Sequence, residues 1–206
     1  MPEKRAHLTR YQVAREAALL LYTQQEKEYK QAKQKAANTL GTRVLPSNRD
    51  IAHELDAMTD EMEGATKKER LVQMRREAFS IMVLLGEYHP RLVGSVWRGT
   101  AQKNSDIDIE VFASNHEEVL RRLEQSGFSI RKAEWQLVTK EFGLERAFHI
   151  YIVLPSGHEV ELVVRSPEKI GEVNKCEIYG DSIKGLNIHQ LRRVLLMSPE
   201  RKFVPT

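Results

Sequence analysis

Residues 92–112 read LVGSVWRGTAQKNSDIDIEVF and decide the fold of this chain. A Gly-Ser pair, Gly94 and Ser95, is followed after ten residues by an Asp-Ile-Asp triplet that contains Asp106 and Asp108. Side chains alternate along a strand, so a strand here places both aspartates on one face and its isoleucines in a core. Two carboxylates held this close repel each other, and a cation between them or a shared proton relieves the repulsion. Mg²⁺ prefers such oxygen ligands, and the bare backbone of a Gly-Ser turn allows a phosphate group to approach closely.

With its Gly-Ser turn, its Asp-x-Asp strand, and Arg98, Gly99 and Ser105 between them, this stretch resembles the nucleotidyltransferase superfamily. That superfamily includes DNA polymerase beta, CCA-adding enzymes and the minimal nucleotidyltransferases, and the resemblance extends over residues 71–165. It implies an α+β fold, the nucleotidyltransferase palm, in which a mixed sheet carries helices on one face. It also implies a metal-dependent enzyme that transfers a nucleoside monophosphate from an NTP to an acceptor hydroxyl and releases pyrophosphate.

The resemblance also implies a third carboxylate, on a later strand beside the Asp-x-Asp strand. Glu161 is the best match, because an acid set among apolar strand residues is costly to bury unless it is paired or bound to a metal. Glu159 points the same way along the strand and is the alternative. The family more often has Asp at this point, and a Glu carries its carboxylate one methylene further out. The expected catalytic and metal-binding set is therefore Asp106, Asp108 and Glu161.

Four further residues are expected to bind the nucleotide. Gly94 and Ser95 would hold the β- and γ-phosphates through backbone N–H groups and the hydroxyl. Arg98 and Lys103 lie between the turn and the acids, where a cation can meet phosphate oxygens, although they can equally be solvated loop charges. The resemblance implies two Mg²⁺ ions, with Mn²⁺ as an alternative, and ATP is the expected nucleotide.

The histidines show no pattern of their own. His149, His158 and His189 lack the spacing of a metal site and are expected on the surface of a strand or helix.

Composition favours a soluble globular protein. The chain has 206 residues, of which 41% are hydrophobic and 30% charged. It contains no apolar run of the ~20 residues that a membrane span needs, so no membrane partner is expected. The N-terminal residues lack the apolar core of a signal peptide, and Cys176 alone cannot form an intramolecular disulfide. A cytoplasmic location is the expectation that follows.

The acceptor and the oligomeric state stay open. Residues 1–49 hold ten Lys and Arg against four Asp and Glu, and such a basic segment can meet the phosphates of RNA or be a solvated helix face. RNA, a protein side chain and a small molecule are all possible acceptors, since fold and motif do not choose among them.

Apolar periodicity and turn residues predict an N-terminal helical region over residues 1–65. The resemblance implies that residues 66–206 form the nucleotidyltransferase domain. A long helix is expected over residues 9–40, ended by Gly41, and a second is expected to begin at a cap on Ser47 or Asn48 and to end at Gly64. The other expected helices are residues 68–87, 116–126 and 188–197, and the expected strands are residues 92–97, 107–112, 128–139, 148–154 and 159–165.

A different function class is also compatible with the N-terminal region. Residues 36–58 loosely resemble a helix-turn-helix, which would make the protein a nucleic-acid-binding regulator with a nucleotide-sensing domain. The turn there is longer than the usual three or four residues. An interaction module with an inactive site is a third possibility, against which the intact Gly-Ser and Asp-x-Asp elements count.

Overall fold

The computed structural model describes residues 2–140 and 143–205, which divide into two units. The first runs up to residue 66 and also contains residues 176–181, and the second consists of residues 67–175 and those from 182 onward. Each unit has its own cluster of buried apolar side chains. Among the described residues, no helix combines the length and the apolar character that crossing a bilayer requires.

The first unit is built from helices α1 (Pro2–Tyr22), α2 (Tyr29–Thr39) and α3 (Asn48–Glu63). Its core is rich in small side chains: Val13, Ala14, Ala17, Ala18, Leu20, Ala32, Ala36, Ala37, Ile51 and Leu55. Alanines on both α1 and α2 are buried there, which lets the two helices approach closely.

The prediction of one continuous helix over residues 9–40 is wrong. The chain leaves the helix after Tyr22, and Gln24 takes a left-handed φ of 58°. Thr23 donates both its N–H and its hydroxyl to the Leu19 carbonyl, which closes the last turn of α1. Residues 24–35 favour helix by composition and contain no Gly or Pro, so sequence pattern could not reveal the break.

Predicted caps define the ends of the next two helices. Gly41, with a φ of 62°, follows α2, and Gly64 ends α3. Ser47 is the cap of α3: its hydroxyl accepts from the N–H of Asp50, and the Asp50 carboxylate accepts from the N–H of Ser47. Residues 40–47 connect α2 to α3, and this eight-residue connection is too long for a helix-turn-helix, so the structure does not support the regulator hypothesis.

The second unit alternates helices and strands. Its elements are α4 (Ala65–Leu84), which begins at the unit boundary, β1 (Arg91–Leu92), α5 (Gly94–Arg98), β2 (Ile107–Phe112), α6 (His116–Gln125), β3 (Ile130–Lys140), β4 (Gly143–Val153), β5 (Glu159–Arg165) and α7 (Ile188–Met197). Single 3₁₀ turns lie at Gly86–Tyr88 and Pro167–Gly171. The predicted bounds of β2, β5 and α7 agree with the structure, and Asn115 caps α6 through its side chain.

The predicted strand over residues 92–97 is wrong beyond Leu92. The chain turns at Gly94, whose φ is 68°, and residues Gly94–Arg98 form the short helix α5. Val96 and Trp97 are buried in this helix as they would be in a strand. A short apolar run does not by itself distinguish helix from strand, which is why the pattern misled.

The five strands form one mixed sheet in the order β1-β2-β5-β4-β3. β2 and β5 are parallel, and the other neighbouring pairs are antiparallel. Ile107, Ile109 and Val111 pack in one core with side chains of α4, α6 and α7, so helices cover one face of the sheet. The predicted α+β fold with a mixed sheet and helices on one face is confirmed. The opposite face carries the even-numbered residues of β2.

Arg75 of α4 fixes α5 to the C-terminal segment. Its side chain is fully buried and donates to the carbonyls of Val96 (3.1 Å), Trp97 (2.9 Å), Pro199 (2.6 Å) and Arg201 (2.8 Å). Burial lowers the pKa of Arg75 to about 10, so the guanidinium stays charged at neutral pH. One charged group thereby satisfies four carbonyls, of which those of Val96 and Trp97 belong to buried residues.

We expect Arg75→Met to lower the free energy of unfolding of the second unit by about 3 kcal/mol or more, because it leaves the buried carbonyls of Val96 and Trp97 without this donor. Arg76→Met is the matched control, since Arg76 is the exposed neighbour on the same helix and should change stability by less than about 0.5 kcal/mol. Urea unfolding followed by tryptophan fluorescence measures this, because Trp97 and Trp135 both lie in the second unit. Equal midpoints for the two variants would contradict the assigned role.

Candidate active site

The structure brings the three predicted carboxylates to one face of the sheet. Asp106 immediately precedes β2, Asp108 lies within it, and Asp108 is the direct register partner of Glu161 on the parallel strand β5. Neighbouring strands are about 4.8 Å apart, and register partners point to the same side. The face they share is the one that the helices leave uncovered, because Ile107 and Ile109 point into the core.

Gly94 lies directly against Asp108. The N–H of Val93 donates to the Asp108 carbonyl at 2.9 Å, which brings the start of α5 beside β2. A Cβ atom on Gly94 would lie 1.8 Å from the Asp108 Oδ2 atom, a distance that no side chain tolerates. The φ of 68° also favours glycine. The predicted Gly-Ser turn is therefore in contact with the predicted acids, and Ser95 is the next residue of α5.

The surroundings of Asp106 and Asp108 disfavour the negative charge of both carboxylates. Burial raises the pKa of Asp108 to about 7, and the charges of Glu161 and Asp106 add to the shift. Desolvation raises the pKa of Asp106 as well, together with Glu159 and Glu161. Among the described residues, no basic group acts on either aspartate in the opposite direction. A bound cation would compensate this repulsion.

The donor set fits a hard cation such as Mg²⁺, which takes one or two protein carboxylates together with phosphate oxygens and water. Within residues 2–140 and 143–205, no group of three or more His, Cys, Asp or Glu side chains is arranged to hold a metal ion. Two aspartates beside an open glycine backbone provide an incomplete site, in which a substrate phosphate would supply the remaining oxygens.

Glu161 is held by two residues that sequence reasoning missed. Tyr151 donates its hydroxyl to the Glu161 Oε1 atom at 2.7 Å, and His149 Nδ1 lies 2.7 Å from the same oxygen. The expectation that His149 lies on the surface is wrong, because its exposed fraction is 6%. Glu159 is exposed and paired with Arg131, so the geometry favours Glu161 as the third carboxylate. Only the alternation of β4 could have signalled that its polar residues share the face of Glu161.

The two basic residues predicted to bind phosphate differ in their surroundings. Arg98 is 4% exposed, its guanidinium lies 4.5 Å from the centre of the Trp97 ring, and its Nη1 donates to the Phe203 carbonyl at 3.0 Å. Arg98 thus anchors the C-terminal segment, and this geometry does not support a phosphate contact. Lys103 is exposed in the loop that precedes Asp106.

Farther along the same face, a buried arginine compensates a second group of acids. Arg165 at the end of β5 pairs with Glu110 (3.4 Å), Glu145 (3.0 Å) and Glu172 (3.1 Å). The sheet face therefore has one end where acids are neutralised by the protein and another, at Asp106 and Asp108, where they are not.

The close approach of Gly94 to Asp108 can be tested by stability alone. We expect Gly94→Ala to lower the free energy of unfolding by about 3 kcal/mol. The loss should be clearly smaller in a protein that already carries Asp108→Ala, because that substitution removes Oδ2 and leaves mainly the strain of the positive φ. Gly127→Ala is the matched control: Gly127 has a φ of 83° but no atom within 4 Å of the added Cβ. Gly127→Ala should lower the free energy of unfolding by about 1 kcal/mol, both in the parent protein and in the Asp108→Ala variant. Equal costs of Gly94→Ala in both backgrounds, measured by urea unfolding, would rule out the contact.

Comparison with known proteins bears on this site. Residues 85–182 match the model of the nucleotidyltransferase domain family, and the matched segment contains the Gly-Ser turn, both aspartates and Glu161. No curated protein matches the chain significantly.

Nine chains of solved structures match, with low similarity. A cytoplasmic RNA terminal U-transferase is 17% identical with a TM-score of 0.35, over 47% of this chain and 29% of that chain. The GLD-2/RNP-8 complex is 15% identical with a TM-score of 0.34, over 60% of this chain and 39% of that chain. The present chain thus spans well under half the length of either. The family match alone identifies residues 85–182 as a nucleotidyltransferase domain, which confirms the family that the sequence resembles.

Proposed function

We propose that this chain is a metal-dependent nucleotidyltransferase that transfers a nucleoside monophosphate from an NTP, with ATP expected, to an acceptor hydroxyl. One observation carries the proposal: the Asp108 carboxyl is held between the bare backbone of Gly94 and the carboxylate of Glu161, without a basic group to lower its pKa. A purely structural acid in such a place would normally be paired, as Glu110 is by Arg165.

Asp106 and Asp108 would hold two Mg²⁺ ions, with Mn²⁺ as an alternative. Glu161 would act as the base, since no three acidic side chains of the described residues are arranged around one ion. When bound, such ions neutralise phosphate charge and lower the pKa of an attacking hydroxyl. Gly94 leaves room for the β- and γ-phosphates near the start of α5, and Ser95 can donate its hydroxyl to them.

The chain's own groups then orient the transfer. The acceptor oxygen attacks the α-phosphorus, the bond between that phosphorus and the bridging oxygen breaks, and pyrophosphate leaves. Glu161 would take the proton of the acceptor hydroxyl, and Ser95 would hold the leaving phosphates in line. Positioning and fixed charges supply most of the rate in reactions of this kind.

RNA or a protein is the acceptor we propose to test first, with a small molecule as a third class. The basic surplus of residues 1–49 slightly favours RNA. A cytoplasmic location remains the proposal that follows from the single cysteine.

We expect purified protein incubated with each α-³²P-labelled NTP, Mg²⁺ or Mn²⁺, total RNA and a protein extract to transfer label to one macromolecular class. Asp106→Asn and Asp108→Asn should each lower the transfer rate by at least about 10³-fold, because each removes an ionic ligand but keeps the side-chain shape. Denaturing gels with nuclease or protease treatment identify the acceptor.

Glu110→Gln is the matched control, since it removes a carboxylate charge from the same face of β2 at a position that pairs with Arg165. It should retain transfer within about threefold. Transfer that survives in both aspartate variants would refute the site, and binding of NTP without transfer to RNA or protein would redirect the search to small-molecule hydroxyls.

A further inference from the structure

A chain of hydrogen bonds crosses three strands and ends on the third carboxylate. Gln136 on β3 donates through Nε2 to the Glu134 Oε1 atom at 2.9 Å and to the Tyr151 hydroxyl at 2.8 Å. Tyr151 on β4 is in turn 2.7 Å from the Glu161 Oε1 atom on β5. His149, also on β4, reaches the same Oε1 atom at 2.7 Å.

The direction of each bond follows from the number of protons available. The Gln136 amide nitrogen has two protons, and its two acceptors use both. The Tyr151 oxygen accepts one of them, so its own proton is left for Glu161. A phenol with an ordinary pKa of about 10 is protonated at neutral pH, so this hydroxyl has a proton to donate to the carboxylate.

His149 has a defined proton position as well. An ionised carboxylate only accepts, so the proton of this bond sits on Nδ1. The other ring nitrogen, Nε2, is buried and has no hydrogen-bond partner within the described residues. A buried N–H without an acceptor is more costly than an unpaired lone pair, so Nδ1 rather than Nε2 is the ring nitrogen expected to carry a proton.

Both donors converge on Oε1, and no described residue donates to Oε2 of Glu161. A Glu side chain has one more rotatable bond than an Asp, so it samples more positions unless it is held. Two donors on one oxygen restrict the orientation of the carboxylate, whose residue is the register partner of Asp108.

We propose that Tyr151 and His149 are positioning residues that hold the Glu161 carboxylate in the orientation required for nucleotidyl transfer, with Gln136 setting the direction of the Tyr151 bond. This inference rests on the proposed function. Neither residue needs to touch substrate, since each acts through Glu161.

The first test separates positioning from substrate binding. Tyr151→Phe, which removes only the hydroxyl, should lower kcat about 10- to 100-fold with less than a threefold change in KM for the NTP, because Gly94, Asp106 and Asp108 still hold the nucleotide. His149→Leu should do the same, and His149→Asn should recover part of the loss, because its amide can place a donor near the position of Nδ1. Tyr88→Phe is the matched control, as it removes a hydroxyl from the helix side of the same unit. A change confined to KM, or no change in kcat, would overturn the proposal.

The second test does not depend on transfer. In a ¹⁵N-histidine-labelled sample, the His149 ring, assigned by its loss in His149→Asn, should show a proton on Nδ1, and Glu161→Ala should shift that resonance. A proton on Nε2, or a resonance indifferent to Glu161→Ala, would overturn the inference whatever the activity. The expected spectrum in a protein without any transfer would instead overturn the proposed function, and with it the catalytic purpose of the bonds.

Discussion

The contact between the Asp108 carboxyl and the bare backbone of Gly94 is the constraint on which the rest of the site depends. It requires a residue without a side chain at position 94 and a backbone turn of positive φ there. The turn ends β1 and starts α5, and the alternation of β2 then places Asp106 on the same side. The contact between Gly94 and Asp108 thus determines both where the acids lie and how the backbone turns from β1 into α5.

An acid in that position is unfavourable for the fold, so stability must come from elsewhere. The isoleucines of β2 supply part of it through the core that they share with α4, α6 and α7. Arg75 supplies another part, because it satisfies carbonyls at the end of α5 and in the C-terminal segment at once. Gly99 permits this packing, since a Cβ there would lie 2.8 Å from the Arg201 carbonyl oxygen. The end of α5 is therefore held by hydrogen bonds to Arg75, while its first residue, Gly94, contacts Asp108.

What the sequence could predict follows from how local each feature is. The bounds of β2 were predicted correctly because six residues contain both the alternation and the acids Asp108 and Glu110 on its polar face. The caps at Ser47 and Asn115 were predictable because a cap needs only neighbours in the chain. The helix break after Tyr22 and the turn at Gly94 could not be predicted from the sequence. Where local preference is weak, tertiary packing decides whether a segment forms a helix, a turn or a strand. The surroundings of Arg98 could not be predicted for the same reason, because the Phe203 carbonyl to which it donates lies far along the chain.

The residues around Glu161 show how far such non-local contacts matter for function. His149 and Tyr151 carry no motif, and only the register between β4 and β5 brings them to one carboxylate. That register also explains why a Glu is compatible with a position where the family more often has Asp. The longer side chain reaches donors on the neighbouring strand, and those donors remove the freedom that its extra bond introduces. Tyr151 and His149 then engage one oxygen of Glu161, and no described residue donates to the other, so the orientation of this carboxylate is set through a single oxygen.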